Sequence, residues 1–195
     1  MADAILTNGD ERRRLAPAGF LLGLGLGGFV DGILLHQVLQ WHHLLTNRAE
    51  DAAYPAATVS SLEENTLADG LFHAGTWVFT VVGLYLMWRA SAAGHRFTAR
   101  GLTGLLLAGW GAFNLIEGLI NHHVLGIHRV RDDVADPLWW DLGFLAVGAL
   151  LLVVGWALWR SDGSDRRRLD DRTDRVGREV SGTAARTGME TRVHR

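Results

Sequence analysis

Asp31-Gly-Ile-Leu-Leu-His36-Gln-Val-Leu-Gln-Trp-His42-His43 ends the first long apolar segment of the chain, and Glu117-Gly-Leu-Ile-Asn-His122-His123-Val-Leu-Gly-Ile-His128 ends the third. When the two stretches are aligned, the acids match, His36 matches His122, and His42 matches His128. A single acid followed by a histidine would be weak evidence of a site. The recurrence of the whole order in a second apolar segment indicates a repeated structural unit with a site in it.

The hydrophobic residues, 48% of the 195, are gathered into four blocks. The blocks span about residues 17–43, 67–88, 101–125 and 138–159, and most charges lie between and after them. A helix of about 20 apolar residues crosses a bilayer core. The sequence therefore predicts an all-α integral membrane protein with a four-helix bundle at residues 17–160.

The repeat extends to pairs of helices, because blocks two and four both end in Trp and Arg, at Trp88-Arg89 and Trp159-Arg160. Both copies start on the same side of the membrane. The bundle is therefore predicted to consist of two parallel-duplicated helical hairpins with a pseudo-two-fold axis along the membrane normal. Residues 161–195 are rich in Arg, Asp, Gly, Ser and Thr, which predicts a tail that is disordered or loosely helical.

The distribution of arginine predicts the orientation of the chain. Sixteen of the 19 basic residues, all of them Arg, lie in the N-terminal arm (residues 1–16), in the link 89–100 and from residue 160 onwards. The loops 44–66 and 126–137 hold the other three. Basic residues stay on the cytoplasmic side. We therefore expect a multi-pass protein of the cytoplasmic membrane, with both termini in the cytoplasm and both motifs ending on the extracytoplasmic side.

Local signals predict how the helices pack and where they start. Gly19, Gly23 and Gly27 recur every four residues, which is typical of a face where two membrane helices approach closely. Thr66-Leu-Ala-Asp69 resembles a capping box and predicts the start of the second helix. Asp136-Pro137 predicts the start of the fourth, with Asp as cap and Pro in the first position.

Histidine is the main candidate metal ligand, because the chain has no cysteine. His36, His73 and His122 are predicted to lie at one depth on three different helices. Three converging imidazoles can form a Zn or Cu site inside a bundle. His43 and His123 are further candidate ligands near the same membrane surface.

Two acids near these histidines have alternative interpretations. Asp69 lies four residues before His73 on one helix face, so it could hold the second ring nitrogen of His73. An acid in a first helical turn also complements the helix dipole, and this interpretation is favoured for Asp141. Asp31 and His36 are about 140° apart on an α-helix, so they are predicted to face different neighbours.

Asp31 and Glu117 lie deeper than the histidines, near the middle of the bilayer. An ionisable group there costs at least about 2.5 kcal/mol. They are candidates for tuning a metal site or relaying protons. The structural alternative is a protonated pair that is hydrogen-bonded between the two copies.

Three strings resemble a known family: GFVDGILLHQVLQWHH (28–43), DGLFHAGTW (69–77) and GAFNLIEGLINHHVLGIHRVR (111–131). The family comprises predicted bacterial and archaeal membrane proteins catalogued as domain of unknown function 2243. The resemblance covers about residues 17–160. It implies a four-helix integral membrane protein and assigns no activity.

The leading hypothesis is a non-haem Cu, Zn or Fe site, held by the histidines with Asp69, in the extracytoplasmic half of the bundle. It would serve redox or hydrolytic chemistry, or metal handling for an envelope metalloenzyme or respiratory partner. One alternative is a cytochrome in which His36 and His122 clasp one haem b. Another is a proton-coupled carrier that uses Asp31 and Glu117 and works as a homo-oligomer.

An assembly factor also stays open, and so does the question of whether the protein is an enzyme. The sequence has no phosphate loop, nucleophile elbow or nucleic-acid patch. Nucleic acid is therefore not an expected partner, whereas the lipid bilayer is.

Overall fold

The computed structural model describes residues 8–46 and 58–193. Within these ranges all the regular structure is helical, and four helices are long and apolar enough to cross a membrane. The predicted all-α membrane fold is confirmed. The first seven residues of the predicted N-terminal arm and residues 47–57 of the predicted 44–66 loop lie outside the described residues.

Two of the four membrane-length helices change from α to π geometry near one end. The helical elements are α1 (Asn8–Phe29) with a first π segment (Val30–Val38), α2 (Val59–Ala92), α3 (Ala99–Glu117) with a second π segment (Gly118–Val124), and α4 (Leu138–Val193). Each π segment coincides with one of the two aligned motifs.

The helices pack in the order α2, α1, α3, α4. In an 18-residue apolar window of each span, 44% of the residues are buried in α1 and in α3, but 11% in α2 and in α4. The two motif-bearing helices therefore form the centre, and the outer pair turn most of their surface towards lipid.

Glycines allow the two central helices to approach closely. Gly19, Gly23 and Gly27 all face α3, as the sequence predicts. A Cβ at Gly23 would meet the carbonyl oxygen of Leu106, and would lie 2.9 Å from the Cα of Gly109. Any side chain at Gly23 would therefore push the two helices apart.

The start of α2 differs from the prediction. The helix begins at Val59, where the Thr58 hydroxyl accepts a hydrogen bond from the Ser61 N–H and the Ser61 hydroxyl accepts one from the Thr58 N–H. Thr66 lies inside the helix, and its hydroxyl donates to the carbonyl of Leu62. The predicted capping box at Thr66 is therefore not the start, because the polar residues before it extend the helix beyond the apolar block.

The start of α4 is capped as predicted, since the Leu138 N–H donates to the Asp136 carboxylate at 3.2 Å. At its other end α4 continues to Val193, through the tail for which the composition predicts disorder or a loose helix. Arg and Asp recur at helical spacing there, and Asp162 pairs with Arg166 four residues later at 3.3 Å. Such pairs support a helix without an apolar face.

Candidate metal centre

The two π segments place each acid of the motifs beside a histidine of the same motif. In the first segment the Leu39 N–H donates to the carbonyl of Leu34 at 2.8 Å, five residues back. This i to i−5 ladder brings residues five apart to nearly the same face, where an α-helix would separate them. Asp31 Oδ2 therefore lies 3.3 Å from His36 Nε2. The prediction that these two residues face different neighbours was wrong, because it assumed α geometry.

The second π segment repeats this arrangement. The Leu125 N–H donates to the carbonyl of Ile120 at 2.7 Å. Glu117 Oε2 lies 3.1 Å from His122 Nε2. Both acid–histidine contacts thus depend on the same π-helical backbone geometry.

Four imidazoles meet between the two motifs, and each residue is no more than 1% exposed. They belong to His36, His42, His122 and His128. The rings of His42 and His128 stack at 4.6 Å, with 4° between their planes. His36 lies 4.5 Å from His42, and His122 lies 4.9 Å from His128. His42 and His128 form the middle of the cluster. They match each other in the repeat but are not among the predicted metal ligands.

The segments after the two π segments cross, and the crossing fixes the orientation of His42 and His128. His42 Nδ1 donates to the carbonyl of Val130 at 2.9 Å, and His128 Nδ1 donates to the carbonyl of Leu44 at 3.0 Å. A carbonyl oxygen only accepts hydrogen bonds, so Nδ1 carries the hydrogen in both rings. The Nε2 atom of each ring is then left facing the cluster.

The outer nitrogens of His36 and His122 face carboxylates from the outer helices. His36 Nδ1 lies 2.9 Å from Asp69 Oδ1, and His122 Nδ1 lies 3.3 Å from Asp141 Oδ1. Metal-bound histidines usually donate their other ring N–H to a carboxylate or a backbone carbonyl. The Nδ1 atoms of His36, His42 and His128 are hydrogen-bonded to such a group, whereas His122 Nδ1 lies near one without a hydrogen bond.

Asp69 is more than a partner of one ring. It also lies 2.7 Å from His43 Nδ1, and it accepts from the Leu44 N–H at 2.9 Å. It therefore contacts His36 and His43, instead of the His73 that the sequence suggested. The side chain ties α2 to the first motif.

Asp141 has the corresponding place on α4. It is fully buried, accepts from the Val130 N–H at 3.0 Å and pairs with Arg129 at 3.0 Å. The favoured interpretation of Asp141 as a helix-dipole residue did not foresee these contacts. Because an acid in a first helical turn already has a local explanation, these contacts could not be predicted from the sequence.

The Nε2 atoms of His36, His122 and His128 face the two deep acids, Asp31 and Glu117. Glu117 Oε1 lies 2.8 Å from His128 Nε2. Of the buried atoms that the structure describes, both carboxylate oxygens of Asp31 and the Nε2 atoms of His36, His42 and His122 have no hydrogen-bond partner. Potential metal-ligand atoms thus lie close together, and these atoms have no hydrogen-bond donor as a partner.

Two overlapping groups have the spacing that a metal ion needs. In each, one ligand atom per residue lies within 4.8 Å of the others. The groups are His36 with His42 and His128, and Glu117 with His122 and His128. These side chains could hold a metal ion.

Asp69 and three predicted histidine ligands lie outside these two groups. His43 lies behind Asp69, and His123 is exposed. His73 packs against Gly32, where a Cβ would lie 2.5 Å from its Nε2 atom. A metal-binding role for these four residues stays a prediction.

The surface side of the cluster is covered by an aromatic layer. The indoles of Trp41 and Trp140 lie 5.2 Å apart, and the Arg131 guanidinium lies 5.0 Å from each ring. Beneath it, burial lowers the pKa of His42 well below the ordinary 6.5, and the nearby imidazole of His128 lowers it further. His42 is therefore neutral at pH 7, as a metal ligand must be.

The fold and the cluster define a membrane protein with four transmembrane-capable helices and buried His, Asp and Glu groups. Residues 18–162 match a family described as "Predicted membrane protein (DUF2243)", and the chain belongs to that family. A search of curated proteins and a search of solved structures each gave no match.

Proposed function

We propose that this protein binds a transition metal ion, Cu, Zn or Fe, at the cluster of His36, His42, His122 and His128 with Asp31 and Glu117. The observation that carries the proposal is the contact between His128 and Glu117. His128 has its hydrogen on Nδ1, so the Nε2 atom of the neutral ring is an acceptor, and an ionised carboxylate only accepts. Two acceptors at 2.8 Å need a cation or a proton between them.

The donor set supports a non-haem ion. Imidazole nitrogen suits Zn, Cu and Fe, and carboxylate oxygen completes such sites. A bound ion would supply Lewis-acid or redox chemistry. The residues around it orient the rings through Nδ1 and exclude water, because the four histidines are no more than 1% exposed.

The paired contacts of the two motifs support the duplicated hairpins. His42 to Val130 corresponds to His128 to Leu44, and Asp69 on the first motif corresponds to Asp141 on the second. With both termini in the cytoplasm, the cluster lies in the extracytoplasmic half of the membrane. Its tasks there are redox or hydrolytic chemistry, or metal handling for an envelope partner.

Elemental analysis of the detergent-purified protein, with its UV–visible spectrum, tests the proposal. We expect stoichiometric Cu, Zn or Fe in the native chain and a loss in His36→Ala and in His128→Ala. His123→Ala is the matched control, because His123 is next to a cluster residue but exposed. If metal is absent from the native chain, or falls equally in all three variants, the proposal is refuted.

The haem hypothesis is not favoured by the geometry. The stacked rings of His42 and His128 lie beside both His36 and His122, where the macrocycle would have to enter. A Soret band that is lost in His36→Ala would restore it.

The carrier hypothesis is supported by the same acid–histidine contacts, because a proton can bridge them instead of a metal ion. Metal-free native protein with proton uptake that depends on Asp31 and Glu117 would favour a carrier over a metal centre.

A further inference from the structure

A small basic cavity lies at the opposite end of the membrane spans from the histidine cluster. Its volume is about 190 Å³, and it is lined by Arg14, Leu86, Arg89, Ala90, Ala93 and His95. Arg14 comes from α1 and Arg89 from α2, so the charges converge from two helices. Among the side chains that the structure describes, none that lines the cavity is acidic.

The end of α2 is built to place His95 at this cavity. Gly94 has a φ of +84°, its N–H donates to the Ser91 carbonyl at 3.0 Å, and the His95 N–H donates to the Ala90 carbonyl at 3.0 Å. This is a Schellman motif, which ends a helix and turns the chain back over its last turn. His95 is thereby buried at the wall of the cavity, at 8% exposure.

Aromatic residues indicate the depth of the cavity in the membrane. Tyr85 and Trp88 are 52% and 65% exposed on the last turns of α2. Tyr and Trp with one apolar and one polar side gather at the membrane–water interface. Arg89 lies 5.9 Å from the Tyr85 ring, so the cavity opens where lipid headgroups lie.

We infer that this cavity binds a phosphate-bearing anion, with the headgroup of an anionic phospholipid as its source. Arg14 and Arg89 supply charge-assisted hydrogen bonds to phosphate oxygens. Leu86, Ala90 and Ala93 give the rest of the wall apolar character, and the exposed face of α2 continues from there along the bilayer. A lipid can therefore place its headgroup in the cavity and its acyl chains against α2, which free phosphate cannot.

Native mass spectrometry of the full chain in detergent tests this inference. The probes are phosphatidylglycerol, phosphatidylcholine and inorganic phosphate, offered to the native chain, to Arg14→Gln and Arg89→Gln singly and together, and to Arg13→Gln. Arg13 is the matched control, because it is exposed and next to Arg14 but does not line the cavity. The two lining arginines are exposed as well, so the variants should fold, and unchanged circular dichroism would verify this.

The expected result is that phosphatidylglycerol binds in preference to phosphatidylcholine. Its affinity should fall about fivefold for each lining arginine, the usual worth of one basic residue beside an anionic membrane, and stay unchanged in Arg13→Gln. Binding of inorganic phosphate alone, with the same dependence on the two arginines, would overturn the lipid source. The site would be overturned if Arg13→Gln lost as much affinity as the two lining variants. It would also be overturned if neither phosphatidylglycerol nor inorganic phosphate bound more tightly than phosphatidylcholine. Metal content should not change in any of these variants, so the two sites are tested independently.

Discussion

Asp141→Asn distinguishes a residue that orients a metal ligand from one that only complements a helix dipole. Asp141 is 0% exposed, and its oxygens face His122 Nδ1 at 3.3 Å, the Val130 N–H at 3.0 Å and the Arg129 guanidinium at 3.0 Å. The substitution keeps the shape of the side chain. If the amide oxygen of the new Asn faces His122 and Val130, its NH₂ group faces the Arg129 guanidinium. Both of these groups are hydrogen-bond donors, so the contact with Arg129 is lost.

The expected cost follows from these contacts. A hydrogen bond to a charged group is worth about 1.5–3 kcal/mol, and the low end applies because the Arg129 side chain is 34% exposed. We therefore expect a loss of about 1.5 kcal/mol in the free energy of unfolding. Loss of the group that orients a metal-bound histidine typically weakens metal binding 10- to 100-fold, or about 1.4–2.7 kcal/mol.

Asp136→Asn is the matched control, because it removes the same charge from the same helix start, where Asp136 caps α4. Metal affinity is measured by competition with a chelator of known affinity, and stability by denaturant titration of the metal-free chain. If both variants bind metal as tightly as the native chain, or weaken binding equally, Asp141 acts only through helix charge and the reasoning is refuted.

Three further predictions concern backbone strain, helix packing and the dependence of stability on pH. Gln40 has a φ of +50° and the equivalent Gly126 one of +60°. Gln40→Gly should therefore raise the free energy of unfolding by about 1 kcal/mol, and Gly126→Ala should lower it, by denaturant titration in micelles. Gly23→Ala places a Cβ against the backbone of α3 and should lower the thermal midpoint, whereas Gly70→Ala, with nothing within 4 Å, should leave it unchanged or higher. The pKa of His42 is held well below 6.5, so below about that pH the unfolded chain binds more protons than the folded one. The contribution of His42 to the stability of the metal-free chain should therefore fall as the pH drops below about 6.5, and a flat profile from acid to neutral pH would contradict this.

The four spans and the stretches that carry the buried histidines could be predicted, because both depend on patterns that are local in sequence. Apolar blocks of bilayer length select helices whatever the tertiary contacts. In each copy of the repeat, an acid is followed by His36 or His122 and then by a final histidine. This order indicated the stretches in which the buried histidines lie. Burial of such groups follows from their place on the two central helices.

The roles of several residues could not be predicted, because they depend on backbone geometry or on distant contacts. The spacing of five between Asp31 and His36 was converted into the wrong angle, because α geometry was assumed where the backbone forms π turns. His42 is oriented by the carbonyl of Val130, 88 positions away along the chain, and that contact exists only because the two segments cross. A periodicity confined to one helix does not contain this information.

The charge balance of the cluster links the π segments to its chemistry. The outer carboxylates also accept backbone hydrogen bonds, since Asp69 accepts from the Leu44 N–H and Asp141 from the Val130 N–H, and Asp141 pairs with Arg129 as well. Among the contacts that the described residues make, Asp31 faces an imidazole, and Glu117 faces two imidazoles and the Asn121 amide. Together the two acids carry two negative charges when ionised. One divalent ion neutralises both, and so do two protons. Because an ion that binds only the folded chain stabilises it by RT ln(1 + [L]/Kd), about 2.7 kcal/mol at a hundredfold excess over Kd, the two states differ in a measurable way. A metal centre makes the stability of the native chain depend on metal concentration and that of an Asp31→Asn, Glu117→Gln chain much less so, whereas a proton pair makes neither depend on it.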